Sequence, residues 1–99
     1  MGKTTKNYKL TVLIRDNDNR EKTLDRVNEL VSAYSVKTVD YQEDGLKRLA
    51  YEIDGEQYAY YYFWTFETPQ EFHAPEITKE LDTMEDVLRY LLIVVDRGR

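Results

Sequence analysis

One histidine, no cysteine and a few paired carboxylates offer little for catalysis, so the chemistry open to this chain lies in its cations and aromatic rings. His73 sits in Gln-Glu-Phe-His-Ala-Pro without a second histidine, a nucleophile or a ligand set, which makes it surface rather than a general base. Glu43-Asp44 and Glu85-Asp86 lack the ligand spacing of a calcium loop and read as turns and caps. No glycine-rich phosphate loop or Gly-x-Ser-x-Gly turn occurs, so the chain is expected to be no enzyme and to need neither cofactor nor metal. Lys47 and Arg48 are better candidates, because they fall in a strand that fixes their direction and lie beside aromatic residues on which bases could stack. From the residues alone, charge that guards a strand edge against aggregation explains them equally well. Arg89 interrupts an apolar run and must face solvent or a phosphate, since burial without a partner is too costly.

The element that positions these cations is the stretch Gly45 to Glu67. Lys47, Leu49, Tyr51 and Ile53 alternate with Leu46, Arg48, Ala50 and Glu52, then Asp54-Gly55 turns the chain into an aromatic run. This is a β-hairpin. A two-residue turn would pair Leu49 with Tyr60, whereas a three-residue loop with Gly55 as a bulge would pair it with Ala59. In the second strand Tyr60, Tyr62, Trp64 and Phe66 share one face, Tyr61 and Phe63 the other, so the strand should be covered on both sides at least in part. At least half of the tyrosine cluster is expected to be core against helices, and what stays open is the expected protein-binding surface.

Upstream, Tyr8, Leu10, Val12 and Ile14 give a first strand with one buried side. A helix follows, with Asp18 or Asn19 as N-cap and Glu21 in its first turn. Leu24, Val27, Leu30, Val31 and Tyr34 form its apolar stripe, and Asp25, Arg26, Asn28 and Glu29 face water. Val36 to Tyr41 reads as strand, and Gln42 to Gly45 as a bulge or bend where glycine takes a conformation other residues resist. Thr68-Pro69 closes the aromatic strand. Pro75 starts a short second helix with Ile77, Leu81 and Met84 buried, and Val87 to Val95 is a last strand. The order βαββαβ predicts an α+β, ferredoxin-like split βαβ sandwich: a four-stranded antiparallel sheet with two helices on one face, strand one and the aromatic strand central.

Ninety-nine residues form a single domain spanning 1–99, with residues 1–6 as a polar arm. No apolar run approaches a membrane span, and the absence of cysteine suits a reducing cytoplasm. The net charge of -5 argues against indiscriminate nucleic-acid binding. Its distribution is uneven: ten acidic residues and one basic residue, Lys79, lie between Glu52 and Asp86, while Lys3, Lys6 and Lys9 crowd one end and Arg97 and Arg99 the other.

Gly45-Leu46-Lys47-Arg48-Leu49-Ala50-Tyr51-Glu52-Ile53 resembles the signature of the bacterial small-subunit ribosomal protein six family. Tyr8 with the alternation after it, Tyr60 to Pro69, and Asp86 to Leu92 resemble that family's first, third and last strands, in the right order. The resemblance implies the fold derived above, a structural role in the small ribosomal subunit, binding of small-subunit ribosomal RNA, and ribosomal protein eighteen as partner. On this reading Lys6, Lys47, Arg48 and Arg89 meet RNA, and Tyr51, Tyr58, Tyr60 and Tyr61 meet the partner. Lys6-Asn7 is half as basic as the family's usual pair, the turn at Asp54-Gly55 is shorter, one residue is extra near Phe72 to Pro75, and Asp82 to Asp86 lacks arginines many members carry. These departures bear on RNA contact more than on the fold. The alternative is a divergent, non-ribosomal binding module that self-associates in isolation or takes a partner through its open sheet face.

Overall fold

The computed structural model describes residues 5–95. Its elements are β1 (Thr5–Arg15), α1 (Arg20–Tyr34), β2 (Lys37–Ile53), β3 (Glu56–Pro69), α2 (Pro75–Asp82) and β4 (Val87–Val94). All pairings are antiparallel in the order β2-β3-β1-β4, which sets β1 and the aromatic β3 at the centre as their apolar alternation requires. β1 already includes Thr5 and Lys6 of the expected polar arm; Lys3, Arg97 and Arg99 lie outside the described residues.

The main core lies between sheet and helices. Tyr8, Leu10, Val12 and Ile14 of β1 and Tyr62, Trp64 and Phe66 of β3 meet Val27 and Val31 of α1 and Ile77 and Leu81 of α2, with Phe72 and Met84 closing the ends. Asn19 takes the N-cap position of α1 without a side-chain bond; the cap-like bond comes from Asn17, whose Oδ1 accepts the Asn19 amide proton at 2.9 Å. Asn28 departs from its expected place in water. Its Oδ1 accepts the Trp64 indole proton at 2.9 Å, giving that buried ring the partner its N–H needs.

The hairpin turns at Asp54-Gly55 with φ of 49° and 81°, the two positive angles of a tight hairpin turn, and Ile53 pairs with Glu56. Neither expected register for Leu49 occurs. Arg48 pairs with Tyr58, so the four residues Leu49 to Glu52 stand opposite Gln57 alone, and Lys47 takes Ala59 while Leu46 takes Tyr60. Burial of Leu49 accounts for the offset. It joins Ala59 and Leu88, flanked by Leu13, Ile53 and Tyr61, in a second small cluster apart from the main core. Covering a leucine side chain contributes about 1.5–3 kcal/mol, and the ladder bonds given up lie at an exposed tip where water replaces them. The expected irregularity before the hairpin is present: the register shifts between Glu43 and Gly45, and Gly45 has φ +79°.

Candidate nucleic-acid and partner interface

The sheet face turned away from the helices carries the exposed chemistry. Registers across the four strands arrange it in rows: Gly45, Tyr61, Leu13 and Arg89; then Gln42, Phe63, Thr11 and Leu91; then Asp40, Thr65, Lys9 and Ile93. On β1, β3 and β4 strand alternation produces this, because these residues are out of phase with their strand's buried ones, and on β2 the shifting pairing with β3 sets which residues share the face. A register shift on β4 between the partners of Leu13 and Ile14 leaves Leu88 free to join the second cluster beside Arg89.

The four cations expected to meet RNA do not form one patch. Lys47 lies on the open face, its Nζ 5.6 Å from the Tyr61 ring centroid and 3.1 Å from an Asp44 carboxylate oxygen. Hydrogen bonds from Gln42 and then from Lys47 hold the Asp44 carboxyl below its ordinary range. Arg89, exposed and opposite Leu13, shares that face and has no ion-pair partner among the described residues. Arg48 is exposed too, but alternation directs it to the other side of the hairpin, with Tyr58. Lys6 is spent within the fold: its ammonium donates to the Phe72 carbonyl at 2.9 Å and lies 5.8 Å from the Tyr8 ring.

The four tyrosines divide similarly. Tyr51 is 69% exposed near the hairpin tip, and Tyr61 borders a groove of about 280 Å³ walled by Leu13, Leu49, Tyr51 and Ile53 with Arg89 at its rim. Tyr58 is exposed on the opposite side. Tyr60 packs on the main core beneath the Arg20 guanidinium, 4.0 Å from its ring centroid, and Arg20 also donates to the Tyr62 hydroxyl at 2.8 Å. It is therefore not on the surface that Tyr61 lines.

Two residues of the open face, Lys9 and Phe63, were not among the candidate site residues read from the sequence. Lys9 is exposed, its Nζ 5.7 Å from the Phe63 ring centroid, and it has no ion-pair partner among the described residues. The signal was present, since Lys9 alternates with Tyr8 and Leu10, and Phe63 with Tyr62 and Trp64. Arg15, by contrast, is held between Glu56 at 2.8 Å and Asp86 at 3.3 Å, tying the turn end of the hairpin to the start of β4. His73 is exposed, and among the described residues no group of three acidic or histidine side chains could hold a metal. No helix among them is long and apolar enough to cross a membrane.

A family model for ribosomal protein S6 matches residues 7–94. A small ribosomal subunit protein bS6 from Protochlamydia amoebophila is 32% identical over 89 residues, covering 90% of this chain and 76% of the relative. Its counterpart from Fusobacterium nucleatum is 30% identical over 79 residues, covering 80% and 83%. In fold, the chain matches the crystal structure of 30S ribosomal protein S6 from Thermotoga maritima with a TM-score of 0.81 at 19% identity, over 92% of this chain and 88% of that one. The ferredoxin-like arrangement expected from the order of elements is thus the one found.

Proposed function

This chain belongs to the ribosomal protein S6 family, a protein of the small ribosomal subunit, and we propose that it binds ribosomal RNA there jointly with ribosomal protein eighteen, acting by positioning rather than catalysis. The observation that carries the RNA half is the open sheet face, where Lys47 and Arg89 are exposed beside aromatic and aliphatic side chains in a protein whose net charge is -5. Arg48 extends the same role to the back of the hairpin. Lys6 leaves the set because its ammonium is already bound. The partner half rests on the hairpin-tip groove, where the exposed Tyr51 offers apolar area with a polar tip, while Tyr61, at its inner wall beside Lys47, is left to the RNA side. Tyr58 is exposed on the other side of the hairpin, away from the groove, and Tyr60 drops out beneath Arg20.

The test is affinity for a small-subunit ribosomal RNA fragment across salt concentrations, with ribosomal protein eighteen present. Arg89→Ala and Arg48→Ala should each lower the slope of log affinity against log salt by about 0.7–0.9, one phosphate contact's worth. Arg26→Ala, on the exposed side of α1, should not. Tyr51→Ala should weaken capture of ribosomal protein eighteen and leave the slope alone. Equal slopes for all three arginine variants would remove the RNA assignment.

A second reading has one observation in its favour: Leu91 and Ile93 leave 58% and 45% of their surface bare on the open face, as a self-associating module would. Two such faces brought together would also oppose Lys9, Lys47 and Arg89 of each copy. Sedimentation of the isolated protein decides, with a monomer at micromolar concentration ending this reading.

A further inference from the structure

We propose that the open face binds unpaired nucleotides, with bases stacked on Phe63 and Tyr61 and their phosphates met by Lys9, Lys47 and Arg89. The inference rests on the RNA reading above and gives it a substrate class, single-stranded rather than duplex RNA. Its first support is placement. Phe63 and Tyr61 are two residues apart on β3, a central strand, so their rings project from the same face about 7 Å apart along the strand. One common RNA-recognition module, also a four-stranded sheet, stacks two or three unpaired bases on aromatic side chains of its sheet in this way.

The second support is the state of the rings. Each is only half-buried, and each has a lysine ammonium within 6 Å of its centroid, Lys9 at 5.7 Å and Lys47 at 5.6 Å. A ring packed against protein on both faces could not admit a cation there. One side of each ring is thus reached by a cation rather than packed on protein, and there a base can replace the ammonium and the lysine can swing to the adjoining phosphate. Charge is the third support. Lys9 and Arg89 lack ionic partners among the described residues and lie one row to either side of the row that holds Thr11 and Phe63. Duplex RNA fits poorly, because its bases are stacked on one another and its phosphates lie along a curved groove rather than a flat sheet.

Binding of a fluorescein-labelled twelve-nucleotide uridylate oligomer and of a duplex of equal length is measured at low salt. In parallel, the ribosomal RNA fragment is bound with ribosomal protein eighteen present. Phe63→Leu keeps the apolar volume and removes the π-face; it should weaken the oligomer roughly 5- to 100-fold with the salt slope unchanged, while Phe63→Trp retains or strengthens binding. Lys9→Ala should lower the slope by about 0.7. Circular dichroism verifies that each variant is folded, with Trp64 emission as a second readout in all but Phe63→Trp. Wild-type preference for the duplex, equal affinity of Phe63→Leu and Phe63→Trp, or full displacement of the oligomer by polyglutamate at matched charge would each overturn stacking. If stacking fails while Arg89→Ala still changes the slope on the ribosomal fragment, the RNA reading survives. If wild type binds neither probe, both fall together.

Discussion

Removing the Asn28 carbonyl should destabilise the whole fold through a single indole proton. Trp64 is 2% exposed and its Nε1–H donates to Asn28 Oδ1 at 2.9 Å. In Asn28→Ala the donor is left without its protein acceptor, a loss of about 1–3 kcal/mol. Alanine recovers part of this by its better helix propensity, up to about 0.7 kcal/mol at a mid-helix position. With that recovery the net loss is about 0.3–2.3 kcal/mol, and at about 4–8 °C per kcal/mol for a domain of this size it lowers Tm by roughly 1–18 °C. Because that range is wide, the decisive measurement is a double-mutant cycle with Trp64→Phe, in which no indole proton exists to satisfy. There Asn28→Ala should be neutral or slightly stabilising, leaving a coupling of about 1–3 kcal/mol. Unfolding in urea is followed by far-ultraviolet circular dichroism, since Trp64 is the sole tryptophan and one arm of the cycle lacks it. A coupling below about 0.5 kcal/mol would mean that water serves the indole as well as Asn28 does.

Two further outcomes follow from backbone and from pH. Gly45→Ala should cost about 1–2 kcal/mol from its φ of +79° alone, because an added Cβ would meet no atom within 4 Å; Gly45→Asn should recover part of it in the same urea titration. The Tyr90 hydroxyl donates to Asp82 Oδ1 at 2.6 Å, and that bond, followed by modest burial, raises the Tyr90 pKa above its ordinary value. The folded state therefore holds the phenolic proton more tightly than the unfolded one. Its contribution is complete below the unfolded pKa of about 10 and disappears as pH rises through the folded value, so the stability gap between wild type and Tyr90→Phe should close in alkali. A gap constant from pH 8 to 11 would refute the assignment.

The sheet, its order and the identity of its central strands were legible because the alternation in Tyr8 to Ile14 and Tyr60 to Phe66 is uninterrupted. The register of the hairpin was not. Each strand keeps its own period on either side of Leu49 to Glu52, and nothing in one strand's alternation records how many residues its partner spends opposite. Lys6 reads as a free cation until the Phe72 carbonyl is brought beside it by the chain that leads into α2. Asn28 occupies a helical position that composition assigns to water, and only the packing of α1 across β3 shows that an indole proton points at it. The open-face cations were legible as types and strand phases. Their separation into Lys9, Lys47 and Arg89 on one face and Arg48 on the other required the pairing, and the pairing was the part in doubt.

The strand order also has a bearing on how the molecule is made. β1 pairs with β4 from Tyr8 with Val94 to Ile14 with Val87, so one side of a central strand is completed only by the last element in the described chain. Synthesis proceeds from the N-terminus, and β1 and the β2–β3 hairpin are available long before that neighbour. Until it arrives, β1 presents an unpaired edge beside a finished hydrophobic face, the form most prone to recruit a stranger's strand. Closing so distant a pair is entropically slow. The nascent chain therefore passes through an interval of exposure whose length is set by translation, and slowing the ribosome over the α2 codons should lower the soluble yield without altering the finished protein.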